Sequence, residues 1–235
     1  MIKRTLFVFD FDHTLIDNNV DTWIMSVHPT LTVQKDMHSL RKRYPCWTDL
    51  MDHTAGLIHD KGVSKAELIS HVRQAKLYEQ AHKAITAVGK ARHADAIIVS
   101  DANTLFIEHI LTECGVRQVF KDIFSNPAHF DSTDRLHIQH YHSHSCPHCS
   151  ANLCKGQVLT DYLNSRPAYS KVVYVGDGKG DYCPALRLSD NDVLVCRKGY
   201  TLAGMIQDNE QSCKAKTMVI DFVESLGDTI ISMCL

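Results

Sequence analysis

Apolar residues along this chain fall into two rhythms. Four short continuous runs, Leu6–Phe9, Ala96–Val99, Val172–Val175 and Val193–Val195, are rich in β-branched or aromatic side chains and end in polar or glycine positions. Runs of that length without alternation predict strands buried on both faces, as in a parallel sheet. Between them lie segments of helical pattern. One such segment runs through Leu105, His109, Leu111 and Glu113, with Gly115 placed to end it, and another from Lys155 to Leu163. A third, through Val219, Phe222, Val223, Leu226, Ile230 and Cys234, reads as a terminal helix packed on the core. Strand alternating with helix implies an α/β fold: a doubly wound parallel sheet with right-handed crossovers.

One gap breaks this alternation. From Asp17 to Asp95 no strand pattern occurs, whereas helix-like segments such as Ser64 to Leu77 do. Ser64 followed three residues later by Glu67 is the signature of a capping box. A crossover needs only about a dozen residues, so the surplus predicts a helical insertion after the first strand. The expected division is a catalytic core of residues 1–16 and 96–235 and a helical cap of residues 17–95 overhanging the sheet.

Composition narrows the partners. A net charge of −2 offers no basic surplus for nucleic acid, and Arg41-Lys42-Arg43 reads as a solvated helix face. No apolar stretch approaches the ~20 residues of a membrane span, and Met1-Ile2-Lys3-Arg4 leads into the first strand without room for a signal peptide. Nine cysteines, an odd number in a chain this long, suit reduced thiols. The expectation is a cytoplasmic protein with a small-molecule substrate and no nucleic-acid or membrane partner; nothing in the pattern sets an oligomeric state.

The candidate chemistry lies where strands end, as it does in open α/β sheets. The first run closes on Asp10-Phe11-Asp12-His13-Thr14, the second on Ser100-Asp101-Ala102-Asn103, and the third on Gly176-Asp177-Gly178-Lys179-Gly180-Asp181; Lys155 opens a helix between the last two. Side chains two apart on a strand share a side, so Asp10 and Asp12 would repel unless a cation lay nearby. These residue types suit phosphoryl transfer. A carboxylate attacks phosphorus and splits a hard hydrolysis into two steps, and Mg²⁺ bridges carboxylates and phosphate. Ser100 and Lys155 hold the other phosphoryl oxygens. The glycines around Asp177 let the backbone turn so that carboxylates reach the metal.

The order Asp-x-Asp-x-Thr, Ser, Lys, Gly-Asp-Gly-x-x-Asp resembles the haloacid dehalogenase superfamily of phosphatases. Asp10-Phe11-Asp12-His13-Thr14-Leu15-Ile16-Asp17, Ser100 to Asn103, His142 to Cys146, Asn152 to Lys155 and Gly199-Tyr200 further resemble its phosphoethanolamine/phosphocholine phosphatase branch. That branch includes pyridoxal phosphate phosphatases, towards which Arg197-Lys198-Gly199-Tyr200-Thr201-Leu202 tilts the likeness. The resemblance implies a Mg²⁺-dependent phosphomonoesterase acting on a small metabolite, pyridoxal 5′-phosphate first, with phosphoethanolamine or phosphocholine as the alternative. By position it makes Asp10 the nucleophile and a metal ligand. Asp12 becomes the general acid and base, with its backbone carbonyl on the metal. Asp177 is a further ligand and Asp181 a support of the metal site. Ser100 and Lys155 bind phosphate, and Asp21 and Asp101 contact the substrate's organic part. Competing readings are a phosphotransferase or mutase, a phosphoreceiver-like domain and a zinc-binding interaction module. The paired Asp10 and Asp12 and the long insertion argue against the receiver, and a zinc module leaves the acidic motifs unexplained.

Some signals stay outside this scheme. His142-x-His144-x-Cys146-x-x-Cys149 with Cys154 has a spacing that can hold zinc, although a loop of buried thiols and exposed imidazoles is the simpler reading. Tyr44, Trp47 and Tyr78 suit either cap core or a wall for the substrate. Trp23, beside Asp21, is the better wall candidate, with core packing its simpler role. Cys183-Pro184 reads as structural. His13 is expected to face solvent or the insertion, and Lys179 to point into solvent.

Overall fold

The computed structural model describes residues 4–27, 39–166, 169–209 and 212–234. The four buried runs form strands, each extended by at least one residue: β1 (Thr5–Phe9), β2 (Ala94–Asn103), β6 (Lys171–Gly176) and β7 (Val193–Arg197). Two further strands, β3 (Phe120–Asn126) and β8 (Lys216–Ile220), complete a six-stranded sheet of order β3-β2-β1-β6-β7-β8. Every pairing in it is parallel. The chain runs outward from β1 through β2 to β3, then returns to β6 on the other side of β1 and runs out to β8. The order therefore reverses at β1, and the crevice at that switch point lies beyond Phe9.

Strand geometry sorts the core into two faces. Phe7, Phe9, Ala96, Ile98, Val173, Val175, Val193 and Val195 face helices Glu79–Lys90, Thr104–Glu113 and Phe222–Cys234. Leu6, Val8, Ile97, Val99, Val172, Tyr174, Leu194 and Cys196 face helices Lys155–Ser165, Tyr182–Ala185 and Thr201–Asp208. Val219 belongs to β8 and not to the terminal helix expected to include it. That helix starts at Phe222, because the Asp221 carboxylate accepts the backbone N–H groups of Val223 at 3.0 Å and Glu224 at 3.2 Å. Among the described residues no helix is long and apolar enough to cross a membrane.

Ile16 pairs antiparallel with Leu77, so the excursion after β1 leaves and rejoins the core at one place. Between them lie helices Val20–Trp23, Trp47–Asp60 and Lys65–Val72. The third opens on the expected capping box: Ser64 Oγ accepts the Glu67 N–H at 3.3 Å, and Glu67 Oε2 accepts the Ser64 N–H at 2.8 Å. Helix Glu79–Lys90, inside the 17–95 stretch by sequence, packs instead along the terminal helix. A β-carbon on Gly227 would stand 2.8 Å from Lys83 Cβ, so only glycine permits that approach. A hairpin of β4 (Ala128–Phe130) and β5 (Leu136–Ile138) clamps helix Trp47–Asp60 from the core side. Asp52 on that helix accepts the Ile138 N–H at 2.9 Å and meets Arg135 at 3.4 Å.

Candidate active site

Strand register brings the predicted residues to one end of the sheet. Phe9 pairs with Ile98 and with Val175, so Asp10, Ser100 and Asp177 all lie just beyond the same level. The Asp10 N–H donates to the Val175 carbonyl at 2.9 Å, which continues the ladder one step past β1. Gly176 then lets Asp181 fold back. A β-carbon there would lie 2.5 Å from Asp181 Cγ.

Asp10, Asp177 and Asp181 are buried, and each presents a ligand oxygen within 4.8 Å of the others. Lys155 Nζ lies 2.9 Å from both Asp10 Oδ1 and Asp181 Oδ1. Asp181 is saturated. Its Oδ1 also accepts Tyr174 OH at 2.7 Å, and its Oδ2 accepts the N–H groups of Asp177 at 3.1 Å and Gly178 at 3.0 Å. Asp10 Oδ1 accepts the Phe11 N–H at 2.7 Å, and Thr14 Oγ1 donates to Asp177 Oδ1 at 3.1 Å. Burial, then the charge of Asp181, raise the Asp10 carboxyl well above the usual range and push Asp177 up to about 7. Burial alone would lower Lys155, but Asp10 and Asp181 outweigh it and hold the ammonium well above its usual value. Three buried carboxylates around one ammonium leave the site short of positive charge.

The Asp12 side chain lies outside this group. Asn19 Nδ2 donates to its Oδ2 at 3.1 Å and the Val20 N–H to its Oδ1 at 2.9 Å. Asp12 lines a cavity of about 240 Å³ with Asn19, Asp21, Trp47, Asp101 and Asn152. Burial, then the charge of Asp21, raise Asp12 well above the carboxylate range. Burial also raises Asp21 to about 6, although Trp47 Nε1–H donates to its Oδ2 at 2.8 Å. Among the described residues Asp101 Oδ1 is buried without a hydrogen-bond partner, and burial raises that carboxyl too.

Of the aromatic candidates, Trp47 alone lines this cavity. Trp23 donates to the His71 carbonyl at 3.1 Å and stacks on its ring, Tyr44 stacks on His53, and Tyr78 OH donates to the Thr14 carbonyl. His13 adopts φ 55° and is half-buried, its ring 5.7 Å from that of Tyr200, so it faces the core loop after β7. Lys179 is exposed. Arg41 is exposed but its guanidinium lies 5.0 Å over the Trp47 ring, so the basic run is not wholly a solvated face. The sequence reading missed Asn19, which caps Val20–Trp23 while holding Asp12. It also missed Asn126, whose amide donates to the carbonyls of Asp101 at 2.6 Å and Ala102 at 2.8 Å. The only local sign of Asn19 was a polar Asp-Asn-Asn run before a helix.

Comparison with known proteins agrees with this architecture. Residues 5–233 match the family described as Putative Phosphatase. The pyridoxal phosphate phosphatase PHOSPHO2 of Mus musculus is 36% identical over 235 residues, covering 97% of this chain and 96% of that protein. The inorganic pyrophosphatase 2 of Arabidopsis thaliana is 35% identical over 224 residues, covering 91% of this chain and 77% of that protein. A phosphoserine phosphatase solved as a phospho-aspartyl intermediate analogue superposes with a TM-score of 0.61 over 96% of this chain and 98% of its own; at 15% identity that likeness speaks for the fold.

Proposed function

The chain belongs to the Putative Phosphatase family and is a phosphatase on a haloacid dehalogenase-type core, and we propose that it hydrolyses pyridoxal 5′-phosphate through an aspartyl phosphate on Asp10 with Mg²⁺ as cofactor. The observation that carries the reading is the division between two carboxylates from one loop. Asp10 sits against Lys155 at 2.9 Å among Asp177 and Asp181, while Asp12 faces the cavity. The donor set fits a hard divalent cation: three buried carboxylates with a single ammonium among them. Asp10 and Asp177 would hold Mg²⁺, with Asp181 bracing both Asp177 and Lys155. Bound there, the ion supplies positive charge for the ionised nucleophile and for the phosphoryl oxygens.

In the first step an Asp10 oxygen bonds to phosphorus and the ester P–O bond breaks. The departing oxygen keeps the electron pair and takes the proton of Asp12, whose raised pKa favours the protonated form. In the second step the Asp12 carboxylate removes a proton from water, the water oxygen bonds to phosphorus, and Asp10 is released. Such positioned acid–base help is worth ~10²–10⁴-fold. Lys155 and Ser100 bind the phosphoryl oxygens. The excursion between Ile16 and Leu77 serves as the cap, because it brings Asp21 and Trp47 to the cavity.

Asp21 and Asp101 with the Trp47 indole suit a cationic organic group, such as a protonated pyridine or an ammonium. The same chemistry supports phosphoethanolamine and phosphocholine as second choices. The test is kcat/KM with Mg²⁺ for pyridoxal phosphate, phosphoethanolamine, phosphocholine, pyrophosphate and a neutral aryl phosphate. Pyridoxal phosphate should lead; a panel in which the aryl phosphate equals the cationic esters overturns the substrate class. Asp10→Asn should abolish turnover and trapped phosphate. Full activity in that variant, with deamidation excluded by mass spectrometry, overturns the mechanism.

A further inference from the structure

The segment before Lys155 folds so that its cysteines converge on one point.

 The stretch between β5 and the Lys155 helix, residues 139–154, carries Cys146, Cys149 and Cys154. Their sulfurs meet that of Cys183, from the helix just after Asp181, with all four Sγ atoms within 4.8 Å of one another. Cys183 Sγ lies 3.6 Å from Cys146 Sγ and 3.7 Å from Cys154 Sγ. All are free thiols, and none is near the ~2.05 Å of a disulfide. Zinc–sulfur bonds of ~2.3 Å in a tetrahedron place sulfurs about 3.8 Å apart, close to the two separations observed.

We infer that Cys146, Cys149, Cys154 and Cys183 form a structural tetrathiolate zinc site that pins the start of the Lys155 helix to the segment following Asp181. The donor set is wholly soft sulfur, which selects zinc over the hard cation suited to the carboxylates. Four protein ligands leave no open position, the mark of a structural rather than a catalytic zinc. Sulfurs packed this tightly also suit one ion, because the bridged irons of a cluster would hold them further apart.

The surroundings point the same way. The two histidines of the sequence motif are turned to other work. His142 Nε2 accepts the Cys154 N–H at 3.0 Å, and His144 Nδ1 accepts the Cys146 N–H at 3.1 Å. They thus hold the backbone of two ligands, and the place that spacing gave to histidine is taken by Cys183. The Gln157 N–H points at Cys154 Sγ at 3.4 Å, a contact that favours thiolate over thiol. A β-carbon on Gly156 would come 2.5 Å from Cys183 Sγ, so the helix lies directly against the sulfur group. Cys154 immediately precedes Lys155, and Cys183 lies two residues beyond Asp181, the partner of Lys155 at 2.9 Å. Zinc here would fix the spacing of that pair without touching substrate.

The test is elemental analysis of the full chain, expressed without a polyhistidine tag and dialysed, in parallel with cobalt exchange. About one zinc per chain is expected, independent of added Mg²⁺. Cobalt(II) in its place should give the intense sulfur-to-metal charge-transfer and visible bands of a tetrahedral thiolate site. Cys149→Ser, in the loop and half-buried, should weaken metal retention at least tenfold, whereas Cys114→Ser should not change it. Wild-type protein that carries no zinc and, once reduced, takes up neither zinc nor cobalt overturns the inference, whether or not Cys149→Ser folds. So does a disulfide among these four cysteines, found by mass spectrometry in protein whose reduced form binds no metal. Phosphatase activity does not enter these readouts, so their failure leaves the catalytic reading standing.

Discussion

Lys155 Nζ lies 2.9 Å from Asp181 Oδ1, and both side chains are almost wholly out of solvent. The pair is not isolated, because Asp10 meets the same ammonium and Asp177 stands within the same carboxylate group. Removing Lys155 leaves three buried carboxylates with no cation among them. Breaking a buried ion pair by deleting one partner costs about 3–5 kcal/mol. Lys155→Met should therefore unfold at a lower temperature in metal-free buffer. Mg²⁺ should restore more stability to it than to the parent, since the ion supplies the missing charge. Turnover should fall by ~10²–10³, the usual loss for one donor to a developing anion. Thermal unfolding with and without Mg²⁺ checks this; an equal Mg²⁺ effect in both proteins would contradict the charge argument.

Gly176 offers a steric version of the same experiment. A β-carbon would lie 2.6 Å from Asp181 Oδ2, the oxygen that receives the Asp177 and Gly178 N–H groups. Gly176→Ala must displace Asp181 or open the β6 end. Overpacking of this kind costs about 1–3 kcal/mol. The expected result is a protein that still folds but loses Mg²⁺ affinity and turnover together. Isothermal titration with Mg²⁺ alongside kcat checks it, and unchanged affinity would show that Asp181 does not brace the site.

How much of this was legible follows from what makes a residue conspicuous. Asp10, Ser100 and Asp177 stand out because each ends an apolar run that has no packing use for it. The four inner strands stand out because burial on both faces removes polar positions. The edge strands lack that mark: Phe120–Asn126 mixes Lys121 and Asp122 with Phe124, and Lys216–Ile220 exposes Val219, so Val219 passed for part of a helix. Asn126 acts on Asp101, 25 residues away, and an asparagine carries no sign of its distant partner. Cys183 likewise joins Cys154 across 29 residues, beyond any spacing rule. Sequence shows where chemistry is affordable; only the fold shows which side chains hold it in place.

At the opposite end of the strands, Asp95 ties the sheet together. It takes Arg4 at 2.5 Å, Lys121 at 2.7 Å and Tyr169 OH at 3.0 Å, linking the starts of β1, β2 and β3. Burial alone would raise this carboxyl, but Arg4, Lys121 and Tyr169 together hold it below its usual value. A lowered folded-state pKa means stability that is fully present above the unfolded pKa and lost as pH falls through the folded one. Asp95→Asn should cost about 1–3 kcal/mol near neutral pH, the cations being partly exposed. The gap should stay constant from weakly alkaline to weakly acidic pH and close only below about pH 4. Urea unfolding across that range checks the shape, and kcat per folded molecule should not change.

Asp21 gives the opposite sign and a functional readout. Burial, with repulsion from Asp101, pushes its carboxyl up to about 6, against the hydrogen bond from Trp47. Below that pH it is neutral and attracts a cation weakly; above it the charge appears. Selectivity for a cationic ester over a neutral one should therefore grow as pH rises through about 6. Phosphocholine against a neutral alkyl phosphate isolates the effect, because its charge is fixed and the phosphate titrations of the two esters nearly cancel in the ratio. The kcat/KM ratio should rise several-fold in the parent and stay flat in Asp21→Asn, with the loss appearing mainly in KM. Trp47→Phe, which removes the donor that favours the ionised form, should move the rise to higher pH. A ratio that rises unchanged in Asp21→Asn would transfer the role to Asp101, whose carboxyl also lines the cavity.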